Sequence, residues 1–156
     1  MSLLDLEILS PSDRPILLGI TSPDILEYTN GVMDQMGYKV HTASSHEEFL
    51  DRFARVQYEI ILLEEAFCGA PPDQNESLQT LQLMPMALRR HATVLLLSDT
   101  LTSLDAMSAF QKSVHATINR ADLDKLMLIV QQVVNDNTLF LNTYRDVGRN
   151  IAQGKR

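Results

Sequence analysis

One cysteine in 156 residues, Cys68, excludes an intramolecular disulfide and a cysteine-based metal cluster. Glycine is scarce as well, six in all, and nowhere do several gather into a loop that could cradle phosphates. The turn after the first apolar run, Gly19-Ile20-Thr21-Ser22-Pro23, has one glycine where a dinucleotide-binding turn needs several. Ser98 lacks the flanking glycines of a nucleophile elbow. No apolar run approaches the ~20 residues that cross a bilayer, and no basic region precedes an apolar core at the N-terminus. A soluble, cytoplasmic chain with no membrane association is expected. Positive charge is short too: 13 basic residues against 20 acidic ones leave a formal charge of -7, which argues against nucleic acid or anionic lipid as partner. The four histidines, His41, His46, His91 and His115, show no metal-ligand spacing, so neither metal nor cofactor is expected.

What the chain does have is a set of short apolar runs separated by helical patterns. The organising stretch is Tyr58 to Glu65, whose centre, Ile60-Ile61-Leu62-Leu63, is continuously apolar where a half-exposed strand would alternate. It reads as a central strand covered on both faces, with the carboxylate pair Glu64-Glu65 where the strand runs out. Open α/β sheets place their sites at that end.

Four other strands fit the same scheme: Ile16–Ile20, an alternating edge strand at Tyr38–Thr42, Thr93–Leu97 and Val114–Ile118. Helices are expected between them. One starts at Ser22-Pro23 and ends at Gly37; the next opens on Ser45 with Glu48 three residues on, a capping-box pattern. A third covers Ser77–Arg89, with Leu78, Leu81, Met84 and Leu88 on its core side and Pro85 kinking or splitting it. A fourth spans Ser103–Ser113, with Leu104, Met107 and Phe110 on one side. A β-α unit repeated five times needs right-handed crossovers, so the pattern predicts a doubly wound parallel sheet.

The last helix starts near Asp122 and outruns the domain. Leu126, Val130, Val133, Asn137, Phe140, Tyr144, Val147 and Ile151 follow alternating steps of four and three, a heptad-like seam interrupted at Asn137 and weakened by Gly148. The division expected is an arm over Met1–Arg14, a domain over Pro15–Val134 and a helical extension over Asn135–Arg156. If straight, the seam runs about 39 Å, longer than a ~17–20 Å strand, so its distal part must project or fold back. Folding back needs a break near Asn135 to Asn137, and return onto Met1–Leu9 would cover the stripe within one chain. Projection makes Phe140, Tyr144, Val147 and Ile151 an interaction surface, with a homodimer as the expected assembly. From Thr143 to Arg156 there are four basic residues and one acidic, against the acidic remainder.

In its element order, in Leu62-Leu63-Glu64 closing the third strand, in Ser98 closing the fourth and in the Asp122-to-Leu126 lead into the last helix, the chain resembles the receiver domain of two-component response regulators. The likeness covers about Pro15 to Val134. It implies a five-stranded sheet in the order 2-1-3-4-5. In that family an aspartate at the end of the third strand is phosphorylated, and Glu64 stands at its position. An acidic pair after the first strand holds magnesium; the matching positions are Ile20 and Thr21. The hydroxyl after the fourth strand corresponds to Ser98, to be read as a signal-sensing group or a helix cap. The lysine after the fifth strand falls on Asn119, with Arg120 next to it.

With two carboxylates replaced by Ile20 and Thr21, magnesium loses its charge compensation, and phosphoryl transfer loses its cations. Glu64 is then either a permanent negative charge with Arg120 as partner, or a surface carboxylate at a strand end. The expected function is a receiver-like protein-interaction module of bacterial signalling, not phosphorylated and not an enzyme, that associates through its last helix. The alternative is an active, magnesium-dependent phosphoacceptor receiver.

Overall fold

The structure, a computed structural model, describes residues 9–71 and 73–154. Its five strands, β1 (Pro15–Gly19), β2 (Lys39–Thr42), β3 (Ile60–Glu64), β4 (Thr93–Ser98) and β5 (Ala116–Asn119), form one parallel sheet in the order β2-β1-β3-β4-β5. Strand order and doubly wound class are those the sequence and its family likeness imply. The central β3 and β4 are buried at every residue, which is why they read as unbroken apolar runs.

Among the described residues six α-helices connect and cover the strands: α1 (Pro23–Gln35), α2 (His46–Arg55), α3 (Glu76–Leu83), α4 (Met86–Arg89), α5 (Ala106–Lys112) and α6 (Leu126–Ala152). Two apolar clusters result, one on each sheet face. Met33 of α1 and Leu126, Ile129, Val130 and Val133 of α6 pack over Ile16, Leu18 and Leu62, while Phe49 and Phe53 of α2 and Leu78 and Leu81 of α3 pack over Leu17, Ile61 and Leu63. Gly19 permits the second layer, because a Cβ there would stand 2.8 Å from Leu63 Cδ1 and 3.1 Å from Phe49 Cδ2.

The local signals hold in part. Ser45 Oγ accepts the Glu48 N–H at 3.0 Å, although the Glu48 carboxylate takes Arg52 and the Ser44 hydroxyl in place of the Ser45 N–H. Gly37, at φ 89°, ends α1, where the Tyr38 N–H returns to the Met33 carbonyl. Ser22 stands at the start of α1 without a side-chain capping bond. Pro85 splits the third expected helix into α3 and α4, and the split turns Leu88 outward, 60% exposed, against its expected core position. The fourth helix is shorter than its pattern: Asp105 caps it, Leu104 lies outside it at φ 58°, and Leu104, Met107 and Phe110 are all exposed.

α6 runs unbroken through Asn135–Asn137 and across the expected domain division at 134/135, so the fold-back through a break does not occur. Asn137 interrupts the seam because it bonds its own domain: its Nδ2 donates to Thr93 Oγ1 at 2.9 Å, where β4 begins. From there the helix leaves the amino-terminal edge of the sheet. Return onto Met1–Leu9 lies outside the described residues except for Leu9. No helix among the described residues is long and apolar enough to cross a membrane.

Candidate functional site

The carboxyl ends of β1, β3, β4 and β5 converge on Glu64. Parallel pairing sets Leu63 beside Gly19 and Glu64 beside Leu97, so the Glu64 side chain faces the turn after β1 and the loops after β4 and β5. It is only 6% exposed and therefore not the surface carboxylate that one reading allows. Its Oε1 accepts the Thr21 backbone N–H at 3.2 Å, and its Oε2 lies 3.4 Å from Arg120 Nη2. Arg120 also binds Asp99, Nε to Oδ1 at 2.9 Å, so one guanidinium ties β3, β4 and β5 together. The cation thought lost with the lysine at Asn119 is thus present one residue later, on a longer side chain.

The remaining candidates separate from this cluster. Ile20, 3% exposed, belongs to the apolar core. Thr21 Oγ1 accepts the Cys68 N–H at 2.6 Å, which fixes the loop after β3, where Cys68 takes φ 59°. Asn119 is a loop brace: its Nδ2 donates to the Leu101 carbonyl at 2.9 Å and its Oδ1 accepts the Ala121 N–H at 2.9 Å. Ser98 caps a turn and not a helix, because α5 begins only at Ala106; its Oγ accepts the N–H groups of Thr100 and Leu101, each at 3.1 Å.

Ser98 also donates to Glu65 Oε1 at 3.1 Å, and Glu65 Oε2 lies 3.4 Å from Lys112 Nζ at the end of α5. Sequence reasoning noted the Glu64-Glu65 pair but missed that its members serve two networks. It also missed Asn75, whose Nδ2 donates to the Glu64 and Glu65 carbonyls at 3.0 Å each while its Oδ1 caps α3 at the Leu78 N–H. An asparagine one residue ahead of a helix was the available signal; Lys112, far along the chain, offered none.

Partial burial raises the Cys68 thiol above its ordinary pKa; a hydrogen bond with the His46 backbone opposes this and the charge of Glu64 adds to it. That environment disfavours a thiolate nucleophile. Three of the histidines hold neighbouring elements through Nδ1: His41 meets Tyr58 Oη at 2.8 Å, His46 meets Ser77 Oγ at 2.8 Å, and His115 accepts the Val94 N–H at 2.9 Å.

Magnesium, which the receiver likeness implies, does not fit these donors. Ile20 offers hydrocarbon, Thr21 Oγ1 is taken by a backbone N–H, and both Glu64 oxygens are engaged. Among the described residues no group of three or more His, Cys, Asp or Glu side chains could hold a metal ion.

A scan against family models finds no match, and a search of curated proteins finds none either. Solved structures do match. NtrX from Brucella abortus is 16% identical with a TM-score of 0.67; the match covers 92% of this chain and 30% of NtrX, so the chain spans less than a third of that protein. A CheY-like response regulator receiver domain protein from Methanospirillum hungatei is 16% identical over 81% of this chain and 98% of its own, with a TM-score of 0.64. A response regulator from Thermotoga maritima is 16% identical over 79% and 98%, with a TM-score of 0.60. At such identities the likeness carries the fold, and with the strand order and the loops around Glu64 it establishes that the chain has the fold of response regulator receiver domains.

Proposed function

We propose that the chain is a receiver-fold module of bacterial signalling that acts by protein contact and not by phosphoryl transfer. The exposed stripe of α6 is its contact surface and a second copy its partner. The observation that carries this reading is the ion pair of Glu64 with Arg120, made by a carboxylate whose other oxygen already accepts the Thr21 N–H. A phosphoryl acceptor must offer a free oxygen to the donor and hold a cation beside it. Here the oxygen is occupied and the acidic pair that would hold the cation is Ile20 and Thr21. Glu64 instead supplies a fixed negative charge that anchors the loop after β5.

Incubation with acetyl phosphate and magnesium, followed by intact-mass measurement, tests the first half of the proposal. No phosphorylated species is expected. A stoichiometric, magnesium-dependent mass increase that disappears in Glu64→Gln would establish the alternative, an active phosphoacceptor receiver.

A further inference from the structure

Resting on the reading of α6 as a self-contact surface, we infer that two copies pair through antiparallel α6 helices. The distal half of each helix lies in the groove between α5 and α6 of the other. This groove, of about 390 Å³, is lined by Ala106 and Ala109 of α5, by Ala116 of β5 and by Val133 of α6, with Asp105 and Asp136 at its polar margin. Phe140, 67% exposed, lines it as well.

Of the α6 residues along the groove, Val133, Asn137 and Phe140 are three or four apart and so share one helix face, with Gln132 and Asp136 flanking it. Continuing that spacing gives Tyr144, Val147 and Ile151, all more than half exposed. One stripe thus has a half that lines a groove and a half with nothing on it. A two-fold axis near Phe140 sets Tyr144 opposite Asn137 and Val147 opposite Val133. The free half of each copy then fills the groove of the other, and both are covered in one closed, isologous contact.

Charge selects the direction. The distal half carries Arg145 and Arg149 with Asp146, while the groove carries Asp105 and Asp136. A helix lying in a groove meets walls on both flanks, within reach of long arginine side chains. The antiparallel arrangement therefore brings basic halves onto acidic margins, whereas a parallel coil sets the two basic halves together and leaves the groove open. Asp136 and Arg145 make no ion pair with any described residue, so both charges are available to the partner copy.

The test uses the full chain in a Cys68→Ser background, with a nitroxide on Ala152→Cys or on Asn142→Cys and the distance between copies read by pulsed dipolar spectroscopy. Antiparallel pairing about Phe140 separates the labels at 152 by about 36 Å along the axis, at 1.5 Å per residue, and those at 142 by only about 6 Å along it. In sedimentation equilibrium, Asp136→Arg is expected to raise the dissociation constant about tenfold, and adding Arg145→Asp to recover most of it. Equal, short distances at both sites would overturn the antiparallel pairing and leave α6 as a parallel contact. A wild-type chain that stays monomeric at high micromolar concentration would overturn self-pairing altogether, without bearing on whether Glu64 is phosphorylated.

Discussion

The two edges of the sheet have opposite chemistry. At the carboxyl edge Glu64, Glu65, Asp99, Lys112 and Arg120 are all ion-paired, and the backbone they enclose is braced by Asn75, Ser98 and Asn119. At the amino edge α6 leaves the sheet carrying Phe140, Tyr144, Val147 and Ile151 in contact with solvent. A ligand for the Glu64 carboxylate must first displace Arg120. The open edge gives up only water when it is covered. The candidate site lies at the first edge, and the association proposed above would use the second.

If the comparison is right, edits at the closed edge change stability, and edits at the open edge change association. The largest stability effect is expected for Asn75→Ala. Asn75 is 2% exposed, and its loss removes a helix cap and leaves two carbonyls at the end of β3 without their donor. The cost should be about 2–3 kcal/mol, read as a lower urea midpoint with an unchanged slope. A loss below about 1 kcal/mol would mean that water replaces the amide and that this edge is less closed than its geometry.

Arg120→Ala should cost less, about 1–2 kcal/mol. Stranding one partner of a fully buried pair costs about 3–5 kcal/mol, but Arg120 is about half exposed and water reaches Glu64 from its side. Urea unfolding of Arg120→Ala and Glu64→Gln/Arg120→Ala separates the terms: the double variant should recover part of the loss, because no buried unpaired charge remains, Asp99 being solvent-exposed. A double variant less stable than the single would show that Glu64 is held by its Thr21 contact and not by the cation.

The fold was legible because its signals are local. Continuous apolar runs mark strands buried on both faces, and Gly37, Ser45 and Pro85 punctuate the helices by backbone chemistry alone. The two misplaced stretches have physical causes. Leu88 keeps helical spacing with Leu81 and Met84, but the split at Pro85 changes the phase of α4 and turns it outward. At α5, Leu104 falls outside the helix, Met107 and Phe110 face solvent, and the buried side rests on Ala109, which carries too little hydrophobic signal to show it. The site was less legible. Glu64 and Arg120 could be named, but which of Glu64 and Glu65 takes Arg120 and which takes Ser98 depends on how the strand end splays its two side chains. Nothing in the spacing specifies that.

The smallest stability effect is expected where association should change most. Phe140→Asp/Tyr144→Asp alters two side chains that are 67% and 58% exposed and touch little of the parent domain, so the unfolding free energy of the monomer should move by no more than about 0.5 kcal/mol. Dilution below the dissociation constant isolates that quantity, since above it wild-type stability includes the energy of pairing. At high concentration the same substitution places charges in an apolar contact and should abolish association. Wild-type stability should therefore rise with protein concentration, while that of the variant stays flat. If the variant loses more than about 1 kcal/mol under dilute conditions, Phe140 and Tyr144 are covered within one chain. Residues 1–8, whose sequence includes Leu3, Leu4, Leu6 and Ile8, then become the segment to truncate. Agreement between variant and wild type at low concentration, with divergence at high concentration, would assign the energy of this stripe to a second molecule.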